Sequence, residues 1–575
     1  MRKITSLYIE ILLVTTFLLI GHVVVGYCGT TISGNDVTYT DHTFYGKVTV
    51  TGNNATFTRC QFLTVPGDIG SPGTEGFGVG VYQGALPAGF STMTGTSTPS
   101  HANYGNYQFQ DGSIMVWIPK FWYKVGTGAN GLAVNVIDVR GINTYDTTAE
   151  ANAAGYALHR AFIDGDSEQG GFFVDKYMCS KNAWGTGYIG SSIVNGLPIS
   201  TRADHNPIAD LTACSSNNYY QTINAAHARD GVDGAVNASS EFFVSSRFIY
   251  SALAMLSVAH GQAVSATTYC AWYDATNNFP KGCNNNALGD SNDGTVSYTS
   301  DGYSNCGKTG SGDPFAKTTH NGQSCGVADL NGLMWEVSLG ITAITTNDII
   351  EDISRANPAN VQETGHTKST GDYVMITGIE GGDWAGLDDK IYAVTKIDAD
   401  NYTLDGVDTS GFALAYVQGT NHGTTTNGTF YLAKQATAMK DFTSGDSEAT
   451  DHWGATGVAA MMDAFVPTFE TGYVNNGYSQ KFGSGANQVL SEATSGADWL
   501  LAGLGLPKDA DGIDTVGTNL FGKDTFYQYI RNELCFLSCG RWANASNAGV
   551  WGLYWGLGRA DSRNDVGFRA ACYPY

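Results

Sequence analysis

GRWANASNAGVWGLYWGLGRADSRNDVGFRAACYPY, residues 540–575, is the stretch on which the reading of this chain turns. Trp551, Tyr554 and Trp555 stand among glycines, and a run of small and charged residues follows. In an extended strand over 550–557, successive side chains point to opposite sides. Trp551, Leu553 and Trp555 then share one side, and Gly552, Tyr554 and Gly556 share the other. Three large apolar groups on one side predict a buried face. Tyr554, with a glycine on either hand, is expected in open space as a contact residue. The competing reading puts all three rings in the core. Leu557 breaks the parity, which a turn over 556–558 would explain.

The rest of the chain sets limits on that segment. Its 575 residues are too many for one ordinary core and predict roughly two to four domains. Hydrophobic residues at 42% and aromatic residues at 12% supply enough apolar surface to argue against overall disorder. With 73 glycines and only 14% charged residues, short strands, turns and long loops are expected rather than helix bundles. The fold class expected is α+β. A balance of 30 basic against 53 acidic side chains leaves −23, with no Lys/Arg cluster. Such a surface repels phosphate backbones, so nucleic acid is excluded as a partner, and anionic membrane is a poor one.

Residues 1–27 read as a secretory signal peptide. Arg2 and Lys3 precede the apolar run 11–20, and Val24-Val25-Gly26 offers small residues at a cleavage point. An uncleaved membrane anchor is the alternative, although Gly21-His22 interrupts the ~20 apolar residues that spanning requires. Either way the protein is expected to be secreted or held at the cell surface, touching membrane only through this segment. The 11 cysteines show no CxxC pattern and no paired histidines, so no metal site and no cofactor are expected. Some of Cys270, Cys283, Cys306 and Cys325 are expected to pair.

The texture of the chain changes along its length. Residues 28–65 alternate polar and β-branched residues and predict a strand-rich stub of two or three stacked rungs. VPGDIGSPGTEGFG reads as a linker. In 75–345, IMVWIPKFWYKV (114–125) predicts a central strand and GGFFVDKYMCSKN (170–182) another. SSRFIYSALAMLSVAHG (245–261) predicts a helix, with Ile249, Leu253 and Leu256 on one face, Ser245 or Ser246 as cap and Gly261 as stop. Residues 350–432 return to alternation, with GDYVMITGI, KIYAVTKID and NYTLDGVD as three short strands of a small β domain. Residues 440–575 resume the earlier Gly- and aromatic-rich text. No internal repeat is visible.

In GVADLNGLMWEVSLGI (326–341), Asn331-Gly332 predicts a turn, Trp335 core and Glu336 a buried carboxylate needing a partner. Arg569, in VGFRAA, is the expected partner, a structural pairing rather than a catalytic one.

These motifs carry a resemblance. DLNGLMWEV resembles the D-x-x-G-N-V-W-E-W motif of C-type lectin folds of the formylglycine-generating-enzyme (sulfatase-modifying) type. The Gly540-Arg541-Trp542 opening followed by VGFRAA looks like that fold's last strands, and FFVDKY like an early one. NYGNYQFQDGSIMVWIPKFWYK, ALHRAFIDG, NELCFLSCGRWANASNAGVW and SRNDVGFRAA are similar to the variable proteins of diversity-generating retroelements. The match runs over 75–345 and 440–575. Through GDYVMITGIEG and YTLDGVDTSG, the insert at 350–432 resembles the small β domain of ubiquitin-activating enzymes that recurs in phage tail proteins.

The resemblance implies two incompatible functions. The enzymes of this fold oxidise a substrate cysteine with a thiol pair, and the alignment places Asn544 and Gly549 where those thiols would stand. Neither can form the thiolate that redox chemistry needs, so no catalytic residue and no enzyme activity are expected. In the retroelement proteins the same segment is rewritten at adenine-containing codons. The framework here would be SNAGV, Arg559, Ser562 and VGFRAA, with Trp335, Glu336, Trp551, Trp555, Phe568 and Arg569 as structural residues. The variable, ligand-binding positions within 540–571 would be Arg541, Ala543, Gly552, Tyr554, Gly556, Leu557, Asp561 and Arg563, with Asp565 as a further departure. The expected partner is a macromolecular ligand, a protein or cell-surface component. The alternatives are a cysteine oxidase and a structural or receptor-binding phage tail component.

Overall fold

The computed structural model describes residues 30–40, 43–45, 48–58, 61–63, 67–388, 390–444, 458–465, 478–483, 487–528 and 533–574. The chain divides into two compact units, Met1–Val65 with Ile142–Thr147, and Pro66–Gly141 with Thr148–Tyr575. The expected segment 1–27 lies outside the described residues.

In the first unit, three short parallel pairs join Thr30–Ile32 to Val48–Val50, Thr38–Thr40 to Thr56–Thr58 and Thr43–Tyr45 to Gln61–Leu63. Every pair has the same offset of 18 residues, and the turns keep it too: Asn53 donates its backbone N–H to Asn35 Oδ1, and Asn54 its amide to Asp36 Oδ1. SGNDVTYT (33–40) thus lies on TGNNATFT (51–58), like residue on like. Tyr39 and Phe57 stack at 5.8 Å and 12°. Gly52 permits the close approach, since a Cβ there would sit 2.0 Å from the Gly34 carbonyl oxygen. The expectation of no internal repeat is therefore wrong. A two-copy repeat with conservative exchanges is faint as text, and in-register stacking makes it visible.

The second unit is a mixed fold, rich in sheet and with few helices. One antiparallel sheet runs in the order Phe242–Val244, Ala570–Cys572, Gly171–Asp175, Ile114–Pro119, Asn106–Phe109, Phe90–Thr92. Its second strand comes from the C-terminal region and lies between two strands some 330–400 residues away. The predicted strand over 114–125 is two, Ile114–Pro119 and Trp122–Val125. Pro119, which has no N–H, closes the first. The one over 170–182 also divides, into Gly171–Asp175 and Cys179–Trp184. At that break the Asp175 carboxylate takes two hydrogen bonds from Arg229, each 2.8 Å, and one from the Ala570 N–H.

The helix Arg247–Ala263 is buried on nearly every side, and Ser246 Oγ caps it by accepting from the Ile249 N–H. It ends two residues beyond the expected stop, because Gly261 sits inside it and Val264 is the cap.

The expected region 350–432 is entered and left through a two-stranded ribbon. This ribbon of Ile341–Ile349 against Thr424–Ala433 leads the chain out and back, and Met462–Phe465 adds to its edge. The three expected strands appear as Tyr373–Thr377, Lys390–Lys396 and Asn401–Leu404. Ile350, Val374, Trp384, Val394, Tyr402 and Leu404 belong to a core of its own.

Candidate ligand-binding face

The segment 534–567 is woven into a second sheet, in the order Ile513–Asp514, Tyr478–Phe482, Thr525–Gln528, Leu553–Gly558, Leu534–Ser538, Trp335–Ser338, Val566–Gly567. Leu553–Gly558 lies at its centre, parallel to Thr525–Gln528 and antiparallel to Leu534–Ser538. A central strand is held on both edges, which fixes where each side chain points.

The inward side carries the tryptophans. Trp555 is fully buried against Phe526, Phe536 and Phe430, at 4.7, 4.4 and 5.5 Å between ring centroids. Trp551, in the turn before the strand, packs on Phe521 at 5.2 Å and Phe482 at 6.0 Å. Phe568 is buried. Glu336 and Arg569 form a two-point ion pair at 2.5 and 2.6 Å. Tyr250 donates its hydroxyl to Glu336 at 2.8 Å, and Arg569 donates further to the carbonyls of Asp175 and Ala328. Burial alone would lower the Arg569 pKa, but the Glu336 charge beside it raises it.

The outward side is an aromatic row. Tyr554 stacks on Tyr527 at 4.6 Å and 9°, and its ring meets Trp335 at 5.5 Å. Tyr554 and Tyr527 are half-buried, while Trp335 is buried at the row's edge. Tyr554 therefore does not stand in open space as expected; neighbouring rings brace it. Tyr527 is absent from the sequence reading, although FY (526–527) beside LY (553–554) carries the same in-out order in parallel register.

The Leu557 anomaly has a structural cause. Phe536 pairs with Trp555 but Cys535 with Leu557, so Gly556 is an extra residue in a β-bulge. The bulge resets the alternation and brings half-exposed Leu557 to the Tyr554 side. Gly556 faces the Tyr554 side as its parity predicts, but it is buried and its Cβ would meet the Tyr527 and Tyr554 rings at 2.8–3.0 Å, which corrects its reading as a ligand-binding position. Gly552 is a second correction. A Cβ there would lie 2.3 Å from the Cys539 carbonyl oxygen, so it is a close-approach glycine and not a ligand-facing position.

The other expected positions lie in the loops on either side of this strand. Arg541 and Arg563 are about a third exposed, and both pair with the fully buried Asp565 carboxylate. Burial would raise the Asp565 pKa, but the Arg563 hydrogen bond and the two guanidinium charges hold it below the usual range. Ala543 and Asp561 are exposed, and Asp561 Oδ2 accepts from the Gly558 N–H. Framework atoms tie these loops down: Trp542 N–H donates to Leu333 O, Ala545 N–H to Asn284 O, and Arg563 N–H to Thr201 Oγ1. Arg559 is buried over the Tyr219 and Tyr220 rings.

The nine described cysteines are all free and buried, which corrects the expectation of pairing within 270–325. Cys283 donates to Asn305 O, Cys306 to Gly307 O, and Cys325 accepts from Asn321. Burial pushes Cys535, Cys539 and Cys572 well above the usual thiol range, away from the thiolate that redox chemistry needs. At the two aligned thiol positions stand the loop residue Asn544 and Gly549. Spacing along the chain also misjudged one cluster, since folding brings His205, Asp301 and Cys306 within 4.8 Å of one another. In it, His205 bonds Asn564 O and Asp301 Oδ2, each at 2.6 Å.

No protein-family model matches the chain, and no curated protein matches it. Among the described residues, no helix is long and apolar enough to cross a membrane.

Proposed function

We propose that the protein is a secreted or surface-displayed binding protein whose ligand meets the face formed by Tyr527, Tyr554, Leu557, Arg541 and Arg563. On this reading the scaffold is a C-type lectin fold of the formylglycine-generating type, and a retroelement rewrites the exposed positions of 540–571. One observation carries it. Arg541, Ala543, Tyr554, Leu557, Asp561 and Arg563 reach solvent, whereas the interleaved Trp551, Trp555, Val566, Phe568 and Arg569 are buried. Accessible positions on an over-determined backbone are what a hypervariable surface requires.

The composition of the face suits a macromolecular partner. Tyrosines and arginines dominate binding energy at protein interfaces, and a braced ring has little entropy left to lose. The buried, protonation-prone thiols and the residues at 544 and 549 weigh against a cysteine oxidase.

The test replaces Tyr554→Asn and Leu557→Asn together. The expected outcome is a changed choice of ligand across a panel of proteins and cell-surface extracts, with the melting temperature within a few degrees of the parent. Loss of folding would make both residues core and end this reading.

A further inference from the structure

A cleft of about 410 Å³ opens between the end of the helix Arg247–Ala263, the loop 273–280, and the turns at 519–524 and 549–551. At it lies Asp524, only 1% exposed. Its Oδ2 accepts the Trp551 N–H at 2.8 Å, while Oδ1 has no partner among the described residues. The carboxylate is built in: a Cβ on Gly549 would stand 1.9 Å from Oδ1, and one on Gly522 2.6 Å. Gly549 is thus bare because the Asp524 carboxylate occupies the space that its side chain would need.

Burial pushes the Asp524 carboxyl well above the usual carboxylate range, and among the described residues no basic side chain pairs with it, so a bound cation is what would hold it ionised. Lys481, Lys281 and Arg247 are the cations whose charge it feels. Lys481 donates to the carbonyls of Lys523 and Ser546, and Lys281 to those of Asn277 and Phe279. Arg247 donates to Leu504 O and Ser538 Oγ. On three residues that line the cleft, the acceptors Asn278 Oδ1 and Asn519 Oδ1 and the donor Trp551 Nε1 are buried without partners among the described residues. A buried carboxylate oxygen left unpaired costs free energy until something donates to it.

We propose that this cleft binds a small organic ammonium compound that also carries a hydroxyl or carbonyl group. The ammonium supplies the positive charge and N–H donors that Asp524, Asn278 and Asn519 lack, and the second group accepts from Trp551. Val258, Phe279, Val550 and Trp551 wall the carbon part, and ring faces near a cation add attraction. A mainly apolar cleft with a few polar groups is the usual form of a small-molecule site. The site does not depend on the outward face, since Tyr554 and Leu557 take no part in it.

The experiment titrates the full chain with ethanolamine, with ethylene glycol and glycolate as neutral and anionic counterparts, by calorimetry and thermal shift. Ethanolamine is expected to bind and raise the melting temperature, and the other two to do neither. Asp524→Asn, which keeps an acceptor for the Trp551 N–H, should weaken binding at least about tenfold. Asn519→Ala, at a half-exposed position, should weaken it severalfold, and it decides the matter if Asp524→Asn does not fold. Equal responses to all three compounds, unchanged affinity in the variant that folds, or saturation of the site by calcium ions in place of the amine would overturn the proposal.

Discussion

The insert around Trp384 and the C-terminal segment around Trp555 are both sheet, yet they bury charge in opposite ways. In the insert, Glu363 pairs with Lys368 five residues along, and the hydroxyls of Tyr402 and Thr425 complete its shell. Every member belongs to the insert. In the C-terminal segment, Glu336 pairs with Arg569 across a separation of 233 residues, and their remaining bonds reach Tyr250 of the helix and the carbonyls of Asp175 and Ala328. The first network belongs to a module, while the second joins two sheets and a helix. On the proposed reading, exposed replacements in the C-terminal segment leave these buried anchors untouched.

Arg569→Met should show the largest effect. It leaves Glu336 charged and alone in the interior, at a cost of about 3–5 kcal/mol in chemical denaturation. Lys368→Met should cost less and act locally. Hydrogen exchange should show lost protection in Asn401–Leu404 and Lys390–Lys396 while Leu534–Ser538 keeps its own. Equal, global losses from both substitutions would dissolve the distinction between module and junction.

A middle-sized effect concerns pH. Burial pushes Asp329, beside the Glu336–Arg569 pair, up to about 6, although the Gly310 N–H and the Tyr298 hydroxyl donate to it. An acid whose folded pKa exceeds its unfolded value of about 3.9 favours folding while protonated. That contribution is complete below about pH 4 and is lost as pH rises to about 6. His320, held down to about 3 by burial, acts in the opposite sense and loses stability as pH falls. The difference between parent and Asp329→Asn isolates the carboxyl group. The variant should gain about 1–2 kcal/mol relative to the parent between pH 4 and pH 7, read from urea midpoints. A flat difference would mean that Asp329 stays ionised.

The smallest effect should come from Tyr527→Ser on the outward face. It removes one stacked pair, worth about 0.5–1.5 kcal/mol, with no change in the exchange of the Glu336–Arg569 region. A loss as large as that of Arg569→Met would place the aromatic row in the core.

Much of this was readable because a side chain's requirements are local. Phe248, Ile249, Leu253 and Leu256 recur at helical spacing behind a serine, and a helix starts at Arg247. Glu336 within an apolar run demands a cation, and few basic residues flank such apolar text. What stayed hidden depends on partners distant in sequence. The bulge at Gly556 exists only relative to Cys535 and Phe536, so counting parity along one strand could not account for Leu557. Gly552 and Gly549 look like tolerant turn residues until Cys539 O and the Asp524 carboxylate are seen against them. Tyr527 gained its role from a parallel neighbour, and the 18-residue rung repeat emerged only when Tyr39 met Phe57.

The placement of Ala570–Cys572 between Phe242–Val244 and Gly171–Asp175 has a consequence for how variants are sorted. Because that short strand follows residues 541–563, a premature stop or a shift of reading frame within them deletes it. The six-stranded sheet then loses an internal member, and Arg569 goes with it. Ribosomes must also pass Cys572 before the sheet can close. On the proposed reading, folding itself would act as a proofreader, since a copy that loses the frame loses this strand whatever its outward residues are.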